Sequence, residues 1–283
     1  MIDYVVDAAV ATITLRNPAR RNAMTRAMWR GLREVLDVIN RSQNSSCLRS
    51  IDDEKQPILS KNAVKLRCVI LRGEGGHFCA GGDISEYPEF RFKETTLRHF
   101  HEEEVAPALH ALLACDIPLV AQIEGNCMGG GLEIAACCDI RIAGQGATFG
   151  APIAKLGMPM APQELAIVLH AAGEATVREM LLEARSFSAD QMQSRGFVQR
   201  VVADTQVAAE AQATAQRISA LSPLAARLNK QTLCAFYQSN QAASHIKYAQ
   251  TATKNIANTY QYAVHAEHVE GVTAFLEKRS PKF

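Results

Sequence analysis

The sequence predicts an α/β protein with an appended helical segment, and three features carry that prediction. Apolar runs of strand length, such as Cys68-Val69-Ile70-Leu71 and Leu119-Val120-Ala121, end in turn or glycine-rich sequence. The order of strand, glycine loop and polar or helical continuation occurs twice, once through Gly81-Gly82 and once through Gly129-Gly130-Gly131. From Gln206 the chain changes to Ala-rich helical sequence that continues nearly to Phe275 without a strand pattern. At 283 residues the chain is near the size where one hydrophobic core stops growing. A core over residues 1–205 and a helical segment over residues 206–283 are therefore expected. A helical segment that cannot bury its whole apolar face on the core is a natural oligomerisation element.

In chain order, Tyr4-Val5-Val6 and Ala11 to Leu15 flank Asp7-Ala8-Ala9 and predict an antiparallel hairpin, broken by Asn17-Pro18. Met28, Leu32, Val35, Leu36 and Ile39 recur at helical spacing, with Thr25 as an N-cap. Residues 42–62 are polar, carry Pro57 and lack periodicity, which predicts a surface insertion. Helical sequence runs from Lys93 to Ala114. It carries His99, His101 and the acids Glu102 to Glu104, but i and i+2 point to different helix faces, so a solvated surface is expected there rather than a metal site. Further helices are expected over Glu164 to Ala172, Glu174 to Ala184 and Gln191 to Arg195, the last capped at Ser188 and ended by Gly196. Strand-like Phe197 to Val202 follows.

Composition excludes several function classes. Lys+Arg 30 against Asp+Glu 29 leaves a formal charge of +1, so no general field attracts nucleic acid or an anionic membrane. The eight cysteines include no C-x-x-C, and Cys137-Cys138 are adjacent, which fits reduced core residues of a cytoplasmic protein better than zinc or disulfides. The first residues lack a basic leader, and no segment has the eighteen or so apolar residues of a membrane span.

The chemistry concentrates at Leu119 to Gly150. A glycine-lined helix entry leaves backbone N–H groups unpaired and lets a substrate approach the main chain closely. Gly129 to Gly131 open a helix expected to run from near Leu132 to near Asp139, with Glu133 in its first turn, so one element delivers N–H donors and a carboxylate together. Gly81-Gly82 before Asp83 can expose N–H groups in the same way, and two such loops could hold one carbonyl oxygen between them. No G-x-x-x-x-G-K-[ST] or strand-linked G-x-G-x-x-G supports a nucleotide reading. Asp83 is expected to hold its loop by local hydrogen bonds. His77, Glu86 and Glu164 are titratable residues expected to be structural or solvent-facing.

The blocks ITLRNPARRNAM (Ile13 to Met24), HFCAGGDI (His77 to Ile84), PLVAQIEGNCMGGGLEIAACCDIRIAG (Pro118 to Gly144), ATFGAP (Ala147 to Pro152) and EGVTAFLEKRSPKF (Glu270 to Phe283) resemble the crotonase superfamily, the enoyl-CoA hydratase/isomerase proteins. The resemblance implies a spiral of ββα repeats with a C-terminal helical part, packed as a homotrimer or homohexamer. It implies an acyl-CoA thioester as substrate, with no cofactor besides that CoA and no metal. Its oxyanion N–H groups map onto Gly82 and Gly130, and its first catalytic glutamate onto Glu133. The second glutamate would follow the proline of FGAPI, where this chain has Ile153, which cannot carry a proton. The resemblance also places CoA against Arg20, Arg21, Ala23, Cys79, Ala80, Asp83 and Ile84, with Ile153 beside the acyl group and Phe275 and Lys278 near the C-terminus.

The expected activity is hydration of a 2-enoyl-CoA by Glu133 and the two N–H donors. Isomerisation, decarboxylation or acyl-CoA binding with little catalysis are the alternatives, motivated by Ile153. The wall opposite Glu133 is expected to be apolar, from Ala151, Pro152, Met158, Met160 and Pro162. Such a wall raises the carboxyl's pKa while the helix N-terminus lowers it, which leaves the sign to the structure.

Overall fold

The computed structural model describes residues 1–44, 65–242 and 265–283. The expected insertion at 42–62 lies outside the described residues except for 42–44, which continue a helix. Strands β1 (Ile2–Asp7) and β2 (Val10–Leu15) form the antiparallel hairpin, and β2 then pairs in parallel with β3 (Cys68–Gly73). Strands β4 (Leu119–Ile123), β6 (Ile140–Gly144) and β9 (Arg200–Val202) continue the parallel sheet, in the order β1-β2-β3-β4-β6-β9. A smaller sheet contains β5 (Asn126–Met128), β7 (Thr148–Gly150) and β8 (Ser186–Ser188). The chain alternates between them. β4 and β6 lie in the large sheet, β5 and β7 in the small one, and Cys79 bridges Cys127 at the edge of β5, so successive passes give one strand to each sheet before a helix.

The short strands of the second sheet were not visible in the sequence. Glu124-Gly125-Asn126 reads as a turn, yet Asn126 to Met128 pairs with Thr148 to Gly150, more than twenty residues away. Three-residue strands carry no periodicity of their own, and only the partner defines them.

Helix α1 (Arg26–Asn44) buries Met28, Leu32, Leu36 and Ile39 of the expected stripe and Trp29 besides, while Val35 is only partly buried. The sequence from 87 to 113 breaks into α2 (Tyr87–Phe90), α3 (Glu94–His99), a π-helical stretch over Phe100–Val105 and α4 (Ala106–Leu113). Helix α5 spans Gly130–Ala136, starting two residues earlier and ending sooner than expected, because Gly129 at φ +47° already turns the chain into it. Helices α6 (Pro162–Ala172), α7 (Glu174–Leu182) and α8 (Ala189–Ser194) follow, the last held by a full capping box between Ser188 and Gln191.

Beyond residue 206, α9 (Val207–Ser219) lays Val207, Ala211 and Ala215 on Ile70, Val120 and Ile142, covering the second face of the large sheet. Helix α10 (Pro223–Ala242) is tied to the core through buried Lys230, whose Nζ donates to Ile117 O at 2.9 Å and Asp139 Oδ2 at 2.8 Å. A last helix spans Ala266–Leu276. Among the described residues no helix is long and apolar enough to cross a membrane.

Candidate active site

A cavity of about 210 Å³ opens between the two glycine loops, α5 and the segment from Pro152 to Glu164. Gly81 and Gly82 line it from one side, and Gly129 and Gly130 from the other. The Gly82 loop is fixed by its neighbours, since Met24 N–H donates to Gly81 O at 2.7 Å and Asp83 N–H donates to Met24 O at 2.9 Å. On the opposite loop Gly129 N–H donates to Gly150 O at 2.9 Å, and Gly130 is the first residue of α5, where an N–H has no intrahelical acceptor. Glycine is required here by space. A Cβ on Gly82 would lie 2.4 Å from Tyr87 Oη, and one on Gly130 would lie 2.9 Å from Trp29 Cζ2. Gly131 packs so closely that a Cβ would meet Cys79 O at 2.6 Å.

Glu133, one turn into α5, lines the same cavity. Burial pushes its carboxyl from 4.5 up to about 8, the charge of Glu164 pushes the same way, and Arg91 opposes them. Desolvation thus decides the sign left open by the sequence, and near neutral pH this carboxyl is mostly protonated. Tyr87 and Arg91 also line the cavity, with the guanidinium 4.4 Å from the centre of the Tyr87 ring, and burial raises the Tyr87 hydroxyl.

The wall facing Glu133 carries Pro152, Ile153, Leu156, Met158 and Met160, but it is not wholly apolar. Glu164, at the start of α6, is buried against the cavity rather than solvent-facing. Its Oε1 lies 2.8 Å from Nδ1 of His101, and its Oε2 is buried with no hydrogen-bond partner. His101 also lines the cavity, which corrects the expectation of a solvated surface at that residue, whereas His99, Glu102 and Glu103 are exposed as expected. The two histidines do face different ways: the His99 side chain is 59% exposed and that of His101 22%. Glu104 is likewise interior, held by Arg26 Nε at 2.9 Å and Arg30 Nη1 at 3.1 Å. Spacing along a helix separates faces but does not say which face the next element covers, and here α6 covers one of them.

Of the other expected site residues, Ala80 and Ile84 line the cavity with Gly82. Cys79 is buried and its main chain is engaged, accepting from Met128 N–H at 2.9 Å and donating to Asn126 O at 2.8 Å. Ala23 is buried, as is the next residue, Met24. Asp83 holds its loop as expected, with Oδ1 accepting from Ser85 N–H at 3.1 Å and Ser85 Oγ–H at 2.7 Å, and it pairs with Arg20. Hydrogen bonds from Ser85 and Arg20 together outweigh burial and hold its carboxyl below the usual range. Arg20 and Arg21 are exposed outside the cavity, and Lys278 is exposed at φ +56° near the C-terminus. The side chain of Phe275 lies outside the described residues. Among the described residues no group of three or more His, Cys, Asp or Glu is placed to hold a metal ion.

Two glycine loops and a protonatable carboxyl around one small cavity are the parts needed to polarise a carbonyl and move a proton beside it. A model of the enoyl-CoA hydratase/isomerase family matches residues 6–283. Mevalonyl-coenzyme A hydratase sidH of Aspergillus fumigatus is 31% identical over 256 residues, covering 88% of this chain and 90% of its own length. The 2,3-dehydroadipyl-CoA hydratase of Escherichia coli is 30% identical over 275 residues, covering 97% and 94%. A solved enoyl-CoA hydratase/carnithine racemase from Magnetospirillum magneticum resembles the whole chain with a TM-score of 0.83 at 35% identity, over 94% of its own length. The alternating sheets are those of the crotonase fold, and with the match running over nearly the whole sequence, the chain belongs to the enoyl-CoA hydratase/isomerase family.

Proposed function

We propose that the protein hydrates the 2,3 double bond of an enoyl-CoA thioester. The observation that carries this reading is Glu133 in a desolvated cavity directly beside Gly82 and Gly130. The thioester oxygen would lie between the two N–H groups, which stabilise the enolate formed when water adds at C3, and ionised Glu133 would take the proton from that water. The reaction needs no cofactor beyond the CoA that is part of the substrate. Arg20, Arg21, Ala23, Cys79, Ala80, Asp83, Phe275 and Lys278 would lie along the CoA, with Ile84 and Ile153 at the acyl end. Exposed Leu233, Val269, Val272 and Leu276 support a homotrimer or homohexamer built through the C-terminal helices, and buried, unpaired cysteines support a cytoplasmic setting.

The test is incubation of purified protein with crotonyl-CoA and with longer and aryl enoyl-CoAs, reading product mass. Gain of one water supports hydration, and tight binding without hydration on the whole panel refutes it. A second reading, isomerisation or decarboxylation of an acyl-CoA, or binding alone, is favoured by Ile153 at the position of the second glutamate. A product of unchanged mass, loss of carbon dioxide or affinity without turnover would identify it.

A further inference from the structure

The cavity holds a second carboxyl that the family's motif does not supply. Glu164 reaches it from α6, eleven positions beyond Ile153, and enters beside the apolar wall that faces Glu133. It is 2% exposed, yet only Oε1 has a partner, Nδ1 of His101 at 2.8 Å. The other oxygen, Oε2, is buried without one. A buried polar atom left unpaired is costly and is usually explained by a role or a bound group. His101 is delivered by the π-helical stretch Phe100–Val105, an irregularity that often marks functional positions, and Phe100 packs edge-on to its ring at 5.0 Å. The titratable groups lining the cavity with Glu164 are His101, Glu133, Arg91 and Tyr87.

We propose that Glu164, oriented by His101, is the second proton-transfer group of this site and takes the place of the acid lost at Ile153. The proposal rests on the hydration reading for its full cycle. Glu133 is protonated near neutrality, and passing that proton to Glu164 leaves the cavity with one base and one acid. Water bonds to C3 and gives its proton to ionised Glu133. The π pair of the double bond moves to C2 and the thioester, and C2 takes the proton of the Glu164 carboxyl. Glu164 is left as a carboxylate, stabilised by the Nδ1–H that His101 donates to Oε1. Return of the proton from Glu133 to Glu164 closes the cycle, and the net change is addition of one water. His101 is a positioning residue in this scheme.

The test uses the full chain with Glu164→Gln, Glu164→Asp and His101→Asn. General acid catalysis is worth about 10²–10⁴-fold, so Glu164→Gln should lower kcat by that order while KM and affinity for butyryl-CoA stay within about threefold. Glu164→Asp should keep part of the rate, and His101→Asn should lower kcat about tenfold or more with butyryl-CoA affinity retained. Wild-type kcat should fall at alkaline pH, when the proton that Glu133 brings to the cavity is lost, and Glu164→Gln should lack that fall. Retained butyryl-CoA affinity shows that a variant is folded. Should a variant not fold, the wild-type profile decides, and a flat alkaline plateau refutes the proposal. A Glu164→Gln enzyme with kcat within threefold and the wild-type pH profile also refutes it. To separate this from the hydration reading, exchange of the C2 hydrogens of butyryl-CoA in D2O reads the C2 proton transfer alone. Exchange by wild type that Glu164→Gln abolishes supports the proposal even if no enoyl-CoA is hydrated. Equal exchange by both, or none by wild type, overturns it.

Discussion

Replacing Glu133 with Gln keeps the side-chain shape and removes an ionisable group whose carboxyl is raised from 4.5 to about 8 by burial. A raised carboxyl destabilises the folded state as pH rises. The unfolded chain ionises freely above its own pKa, while the folded protein must hold the proton or accept a desolvated charge. The stability that a neutral Glu133 allows is fully present below about pH 4.5, declines above it and is lost once pH passes the folded value near 8. At ~1.4 kcal/mol per pKa unit the full span is roughly 5 kcal/mol, and water entering the cavity reduces it to ~2–4 kcal/mol. Urea unfolding of wild type and Glu133→Gln at pH 5 and pH 9 measures it directly. The buried cysteines whose thiols are raised independently of Glu133, such as Cys68 and Cys138, titrate in both proteins and cancel from the difference. We expect the stability of Glu133→Gln relative to wild type to increase by ~2–4 kcal/mol from pH 5 to pH 9. A difference that stays constant within about 0.5 kcal/mol would refute a desolvated Glu133, and with it the account of the cavity as a low-dielectric site.

Four further outcomes are expected. Glu133→Gln should lose at least about 10²-fold in kcat while binding butyryl-CoA normally, read by steady-state kinetics and calorimetry. Ile153→Glu, placed in the Glu164→Gln background, should recover hydration about tenfold or more, because either position can deliver a carboxyl to the cavity. Gly131→Ala places a Cβ 2.6 Å from the backbone oxygen of Cys79, which cannot move aside cheaply, and should cost ~1–3 kcal/mol in chemical denaturation. Lys230→Met removes a buried ammonium from Ile117 O and from Asp139, whose exposed carboxylate keeps water and its bond from Leu119 N–H at 2.7 Å, and should cost ~1 kcal/mol, with α10 released first in hydrogen exchange.

What the sequence determined by itself is local. The hairpin of β1 and β2, the apolar stripe of α1, the Ser188 cap and the glycine loops around Glu133 are set by neighbours a few positions away, so periodicity and turn chemistry suffice to read them. Asp83 as a loop-holder belongs here too, since the Ser85 N–H and Oγ–H that donate to it lie two residues away. Other features exist only through distant contacts. The three-residue strands β5 and β7 are defined by each other, and α9 is a sheet-covering helix because β3, β4 and β6 leave a face for it. The same holds for the site. His101 and Glu164 are 63 residues apart, and nothing within a few positions of either says that α6 will meet the π-helical stretch and bring both to the cavity that holds Glu133. The raised carboxyl of Glu133 is likewise a property of the enclosing walls rather than of its helix. Local sequence fixes which groups are offered and in what backbone conformation. Only tertiary packing removes the water that decides which of them can hold a proton.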